Sequence, residues 1–190
     1  MENRNILIMK KIRIEHYLAF VAILLGAVYL RLIPHIPNVT PIGALALFSG
    51  VTIPNAAGFL IPLIVMLISD SVIGFHDTIP YVYGSFLIIS GIGFILHKKI
   101  TPLKIGLGSL VGSILFFIIT NFGVWMTSTQ YEGNGGGLFR TYVMGLPFFR
   151  NTLLGDLFYN AVFFISYFFL VSISKHIVVM VKRLVHYHLS

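Results

Sequence analysis

Cysteine is absent from this chain of 190 residues. Its absence excludes disulfides, thiolate metal sites and a cysteine nucleophile. Charge is scarce too: only six residues are Asp or Glu, and charged residues make up 10% of the sequence. Several catalytic signatures are missing as well. There is no G-x-x-x-x-G-K-[ST] for nucleotide hydrolysis, no H-E-x-x-H for zinc and no G-x-S-x-G nucleophile elbow. The glycine run 133–137 is no phosphate loop, since no Lys-Ser/Thr follows it. Without an energy-coupling motif the chain catalyses unassisted, conducts passively, or binds a solute and depends on a partner.

Apolar residues are abundant, at 57% of the chain. A soluble domain of this length has no interior large enough to hide them. They come in runs of about 20 residues without alternation, which fits membrane-spanning helices. The expected fold class is therefore an all-α membrane protein. Six helices are expected near 17–33, 39–53, 56–75, 80–97, 104–126 and 151–176. The second is bounded by Pro41 and Pro54, and is expected to be short or tilted. The first run lacks a small-residue cleavage site and reads as a retained span. Residues 1–16 then form a cytoplasmic N-terminal segment, 17–180 a single six-helix domain, and 181–190 a cytoplasmic tail.

Basic residues set the orientation. With the N-terminus cytoplasmic, Arg4, Lys10, Lys11, Arg13, Lys98, Lys99, Lys104, Lys175, Lys182 and Arg183 all lie inside, leaving Arg31, Arg140 and Arg150 of the 13 outside. The positive-inside rule then puts both termini in the cytoplasm. The net charge of +7 is thereby an orientation signal, and nucleic acid is not an expected partner.

The same topology gathers the unusual polar residues at the outer side. Arg31, His35 and Asn38 follow helix 1, and Asp70, His76 and Asp77 lie where helix 3 ends. Asn121 and Trp125 lie in outer helix 5, while Arg150, Asn151 and Asp156 open helix 6. Thr152, Asp156 and Asn160 are four apart, and Tyr159 is three beyond Asp156, so they share a helix face. An ionised group facing lipid costs several kcal/mol, so these faces should point inward, into a wet pocket or at one another. Simpler roles compete. Asn151 could be an N-cap, and Asp156 a carboxylate near the positive end of its own helix. Arg31 and Asp70 could be a structural ion pair, and His35 a turn residue in "IPHIPN". Trp125 could be an interfacial anchor. Residues 127–149 are glycine-rich yet aromatic, and read as a lid over an outer pocket or as an interfacial segment. Four outer carboxylates and two His show no metal-ligand spacing, so neither a metal nor a cofactor is expected. Ala22 and Gly26, like Gly108 and Gly112, are four apart and permit close helix approach.

"RLIPHIPNVTPIGALALFSG" (31–50), "LISDSVIGFH" (67–76) and "ITNFGVWM...PFFRNTLLGDLFYN" (119–160) resemble a family of small, uncharacterised bacterial membrane proteins. That family is in turn similar to the substrate-binding S-components of energy-coupling-factor (ECF) transporters. "IPLIVMLISDSVIGF" (61–75) is a helix of that kind. The resemblance implies an S-component-like bundle in the bacterial cytoplasmic membrane, with a solute pocket near the outer face under an external loop between helices 5 and 6. It implies a transmembrane coupling subunit and cytoplasmic ATPases as partners, with Ala22 and Gly26 as the docking face, though Gly stands for the second Ala of that pattern. Nickel and cobalt members begin Met-His; this chain begins Met1-Glu2-Asn3, so the resemblance does not extend to a metal substrate.

The leading expectation is a substrate-capture subunit for a small polar nutrient, a vitamin or precursor, and not an enzyme. Its expected substrate-binding residues are Arg31, Asp70, Asn121, Trp125, Arg150, Asn151, Asp156 and Tyr159. One alternative is an intramembrane enzyme using Asp70, Asp156 or His76 as acid–base groups. Another is a structural or assembly protein whose polar residues only lock helices together.

Overall fold

A computed structural model describes the backbone of residue 21 and residues 23–187, with side chains described for most residues up to 172. Among the described residues all regular structure is helical. The helices are α1 (Ile23–Leu32), α2 (Ile42–Thr52), α3 (Ala56–Ile73), α4 (Ile79–Leu96), α5 (Pro102–Thr127) and α6 (Gly135–Tyr187). Four spans, Ala56–Ile73, Ile79–Leu96, Pro102–Thr127 and Gly135–Phe169, are long and apolar enough to cross a membrane. The chain is thus compatible with a multi-pass membrane protein. Segment 1–16, the start of the first helix, Ala22 and residues 188–190 fall outside the described residues.

Residues 27–163 form one compact unit; the described residues before and after them belong to a second. In the second unit Phe168 packs its ring on both Phe164 and Tyr167. Gly26 also belongs there, and a Cβ at that position would meet no described atom within 4 Å.

In the larger unit, α2 is the buried centre. Every residue from Ile42 to Val51 is buried, and α2 packs on α3, α4 and α5. It has eleven residues, which bears out the expectation of a short second helix. Small residues let α4 come close: a Cβ at Gly50 would overlap the Ser90 carbonyl, and one at Gly93 the Leu47 carbonyl. The two backbones therefore touch, as is common where lipid offers helices no hydrophobic drive to associate. α3 starts at an Asn55 cap, whose side chain accepts from Ala57 N–H. α5 starts at Thr101, which caps Lys104 N–H, with Pro102 at its first position.

The region between α5 and α6 departs from expectation. The sequence suggests a loop over 127–149 and a helix from residue 151; instead α6 begins at Gly135, leaving 128–134 as the connector. Asn134 starts the helix, its side chain accepting from Gly137 N–H at 2.9 Å. Packing on α5 then outweighs the glycines and Pro147. Tyr142 Oη donates to the Ile118 carbonyl at 2.8 Å, and Phe149 packs on Phe117 with ring centroids 5.1 Å apart. Helical propensity is a weak prior, and tertiary contacts of this kind override it. α6 also continues through 181–187, residues read from the sequence as tail.

Candidate functional site

Two polar clusters interrupt the apolar interior of the larger unit. The first joins α1, α3 and α4. Arg31 Nη2 lies 2.7 Å from Asp70 Oδ1 in an ion pair. Arg31 Nη1 donates to Ser69 Oγ at 2.6 Å and to Met66 Sδ at 2.8 Å. Asp70 is fully buried, and its Oδ2 accepts from Tyr83 Oη at 2.8 Å. Ser69, Met66 and Tyr83 thus add bonds to the pair, which help a buried ion pair to offset its desolvation.

The second cluster joins α2, α5 and α6. Asp156 Oδ2 accepts from Ser113 Oγ at 2.7 Å, and the carboxylate also accepts from the Ala44 N–H. Ala44 is in the first turn of α2, whose own cap position, Pro41, offers no side-chain bond. Asp156 thus satisfies from another helix one of the donors that a helix N-terminus leaves free, and sits at the positive end of the α2 dipole. Gly43 makes this approach possible, since a Cβ there would overlap the carboxylate. One turn further along α6, Asn160 Nδ2 donates to Ser109 Oγ at 3.2 Å, while Asn160 Oδ1 is buried without a partner.

Between the clusters lies a cavity of about 180 Å³. Arg31 and Met66 line one part of it, Thr152 and Asp156 another, with Phe86 and Phe116 from α4 and α5. Those two rings stack with centroids 5.2 Å apart. His76, exposed before α4, also borders the cavity and engages Thr78 Oγ1 through Nδ1. Among the described residues no group of three or more His, Asp and Glu is placed to hold a metal ion.

Of the residues singled out in the sequence, Arg31, Asn38, His76, Thr152 and Asp156 line this cavity, and Asp70 stands behind Arg31. The others lie elsewhere. Asn121 turns back to donate to the Phe117 carbonyl of its own helix at 2.8 Å. Trp125 Nε1 donates to the Glu132 carbonyl and closes the short connector. Arg150 is exposed on α6, away from the cavity. Asn151 is no N-cap, because the helix begins sixteen residues earlier (135 against 151); its side chain donates to the Pro37 carbonyl at 3.0 Å and ties α6 to the α1–α2 turn. In that turn Asn38 adopts φ 64°, a left-handed conformation that Asn tolerates. His35 Nδ1 pairs with the Ile33 carbonyl in the same turn. Tyr159 packs edge-on against Phe158 and tilted against Phe163.

Sequence reading missed Gly43, Tyr83, Ser113 and the Phe86/Phe116 pair. One signal was available: Ser109 and Ser113 are four apart in an apolar helix, on the side marked by Gly108 and Gly112.

Residues 10–179 match a family described as a family of unknown function, DUF6580. No curated protein and no solved structure matches the chain.

Proposed function

The chain belongs to the family of unknown function DUF6580, and we propose from its own residues that it is a membrane-embedded solute-binding protein. One observation carries this reading: a cavity with a guanidinium and a carboxylate on its walls, inside a bundle whose charged residues are few. Such groups are expensive at membrane depth, and a polar ligand gives them a use. The volume of about 180 Å³ limits the solute. A dry apolar cavity of about 150 Å³ accommodates a benzene molecule, and drug-sized ligands need about 300 Å³ or more. A compact nutrient or precursor fits better than a complete large vitamin.

The S-component resemblance extends the proposal. In it, the protein captures its solute at the outer face of the bacterial cytoplasmic membrane. It hands the solute inward in complex with a transmembrane coupling subunit and ATPases, with Ala22 and Gly26 as the docking residues. Among the described residues, no atom would meet a Cβ at Gly26 within 4 Å, which is compatible with such a contact. Native mass spectrometry of the gently purified protein tests the binding reading. A small molecule retained by the wild type and lost in Thr152→Leu, which crowds the cavity, is expected. An empty wild-type protein under these conditions counts against it. Co-purification with a coupling subunit and ATPases tests the transport extension separately.

A second reading has its own support. Asp156 is bonded to Ser113 and to the first turn of α2, a helix-locking arrangement that requires no ligand. A purely structural role predicts that Asp156→Asn lowers the melting temperature without changing what the protein retains.

A further inference from the structure

We infer that the cavity takes a small organic cation: a protonated amine on a compact apolar frame, with its ammonium on Asp156 and its frame against Phe86 and Phe116. This rests on the cavity being a solute site, as proposed above. Charge balance leads to it. Arg31 is already matched by Asp70 at 2.7 Å, so that pair is neutral as a unit. Asp156 lines the same cavity and is 5% exposed, yet among the described residues it takes part in no ion pair. Its bonds come from the Ser113 hydroxyl and the Ala44 N–H, both neutral donors. Neutral donors and a helix dipole ease a buried carboxylate but do not cancel its charge. An anionic solute would compound the imbalance at the cavity wall, and a cation would remove it.

The remaining walls agree. Phe86 and Phe116 line the cavity as a stacked pair. Aromatic faces carry partial negative charge and attract a nearby cation, while also offering apolar contact to its frame. The free volume, about 180 Å³, accommodates a six-membered ring with one or two further heavy atoms, by comparison with a benzene-filled cavity of about 150 Å³. His76, the other ionisable group at the cavity, is itself exposed and leaves Asp156 unpaired.

The test titrates the full-length protein in nanodiscs, by calorimetry, with benzylamine, benzyl alcohol and benzoate. The three share ring and size and differ in charge. Benzylamine is expected to bind about tenfold or more tighter than the other two, the usual weight of a charge-assisted hydrogen bond. Asp156→Asn should erase that preference. Because this change also weakens the hold on α2, Thr152→Leu serves as a second variant. It keeps the carboxylate and narrows the cavity, and should weaken benzylamine by about tenfold while the protein stays folded. Benzyl alcohol or benzoate binding as tightly as benzylamine overturns the inference but leaves the cavity a solute site; equal binding of the alcohol is the result for a carboxyl that carries its own proton. Benzylamine binding untouched by Thr152→Leu puts the amine elsewhere and overturns it too. If none of the three binds, the inference fails, and native mass spectrometry decides separately whether the cavity holds any solute.

Discussion

Asp156, on α6, lies against Gly43, in the first turn of α2, so closely that a β-carbon at residue 43 would overlap its carboxylate. The carboxylate thereby closes a helix end that its own chain neighbour, Pro41, leaves without a side-chain bond. Gly43→Ala should therefore destabilise the protein by about 1–3 kcal/mol, the usual range for overpacking a filled core. Thermal melting beside Gly106→Ala, where an added Cβ meets nothing within 4 Å, is the check. Equal melting of the two variants would refute the contact.

Arg31→Ala leaves the fully buried Asp70 without its cation. A loss of about 3–5 kcal/mol is expected, because an uncompensated buried charge is stranded. Adding Asp70→Asn to Arg31→Ala should recover part of it. A double variant no more stable than the single would show that the ion pair is not what the arginine contributes.

Arg150 is exposed on α6 and does not line the cavity. Arg150→Ala should change stability by no more than about 0.5 kcal/mol, as for most surface positions. Retention of a bound solute should match wild type. A large loss of retention would place Arg150 in a site the cavity does not include.

The cysteine-free background makes sidedness simple to read. Gln130, in the α5–α6 connector, and Lys99, in the α4–α5 turn, are both exposed. In intact cells an impermeant maleimide should label Gln130→Cys and spare Lys99→Cys, following the charge distribution. The reverse pattern would invert the orientation derived from the basic residues.

Much of the fold was legible because apolar run length reports helices directly: 56–75 and 80–97 differ from α3 and α4 by no more than two residues at either end. The first half of α6 was not, because "GGGLFRTYVMGLP" carries the residues that break isolated helices. What holds it is α5, through Phe117 and Ile118, and no local pattern announces a partner more than 20 residues away. The Arg31–Asp70 pair could be suspected, since two charges in an apolar chain have few partners to choose from. The surroundings of Asp156 could not. A glycine, a serine and a backbone N–H leave no signature, and Phe86 and Phe116 look like any other apolar residues of a span.

The burial of α2 from Ile42 to Val51 bears on how the protein is made. At 1.5 Å per residue, its eleven residues reach only about 16 Å, roughly half the hydrocarbon thickness of a bilayer. Leaving a translocon alone, such a segment would meet acyl chains with Asp156, Ser90 and the rest of its socket still unsynthesised. Its lasting place depends on helices that emerge after it. Biogenesis should therefore be post-insertional at this point, with α2 drawn into position as α4 to α6 arrive. Chains truncated before residue 156 should accordingly leave α2 open to proteases and to quality-control recognition, even with every earlier span already inserted.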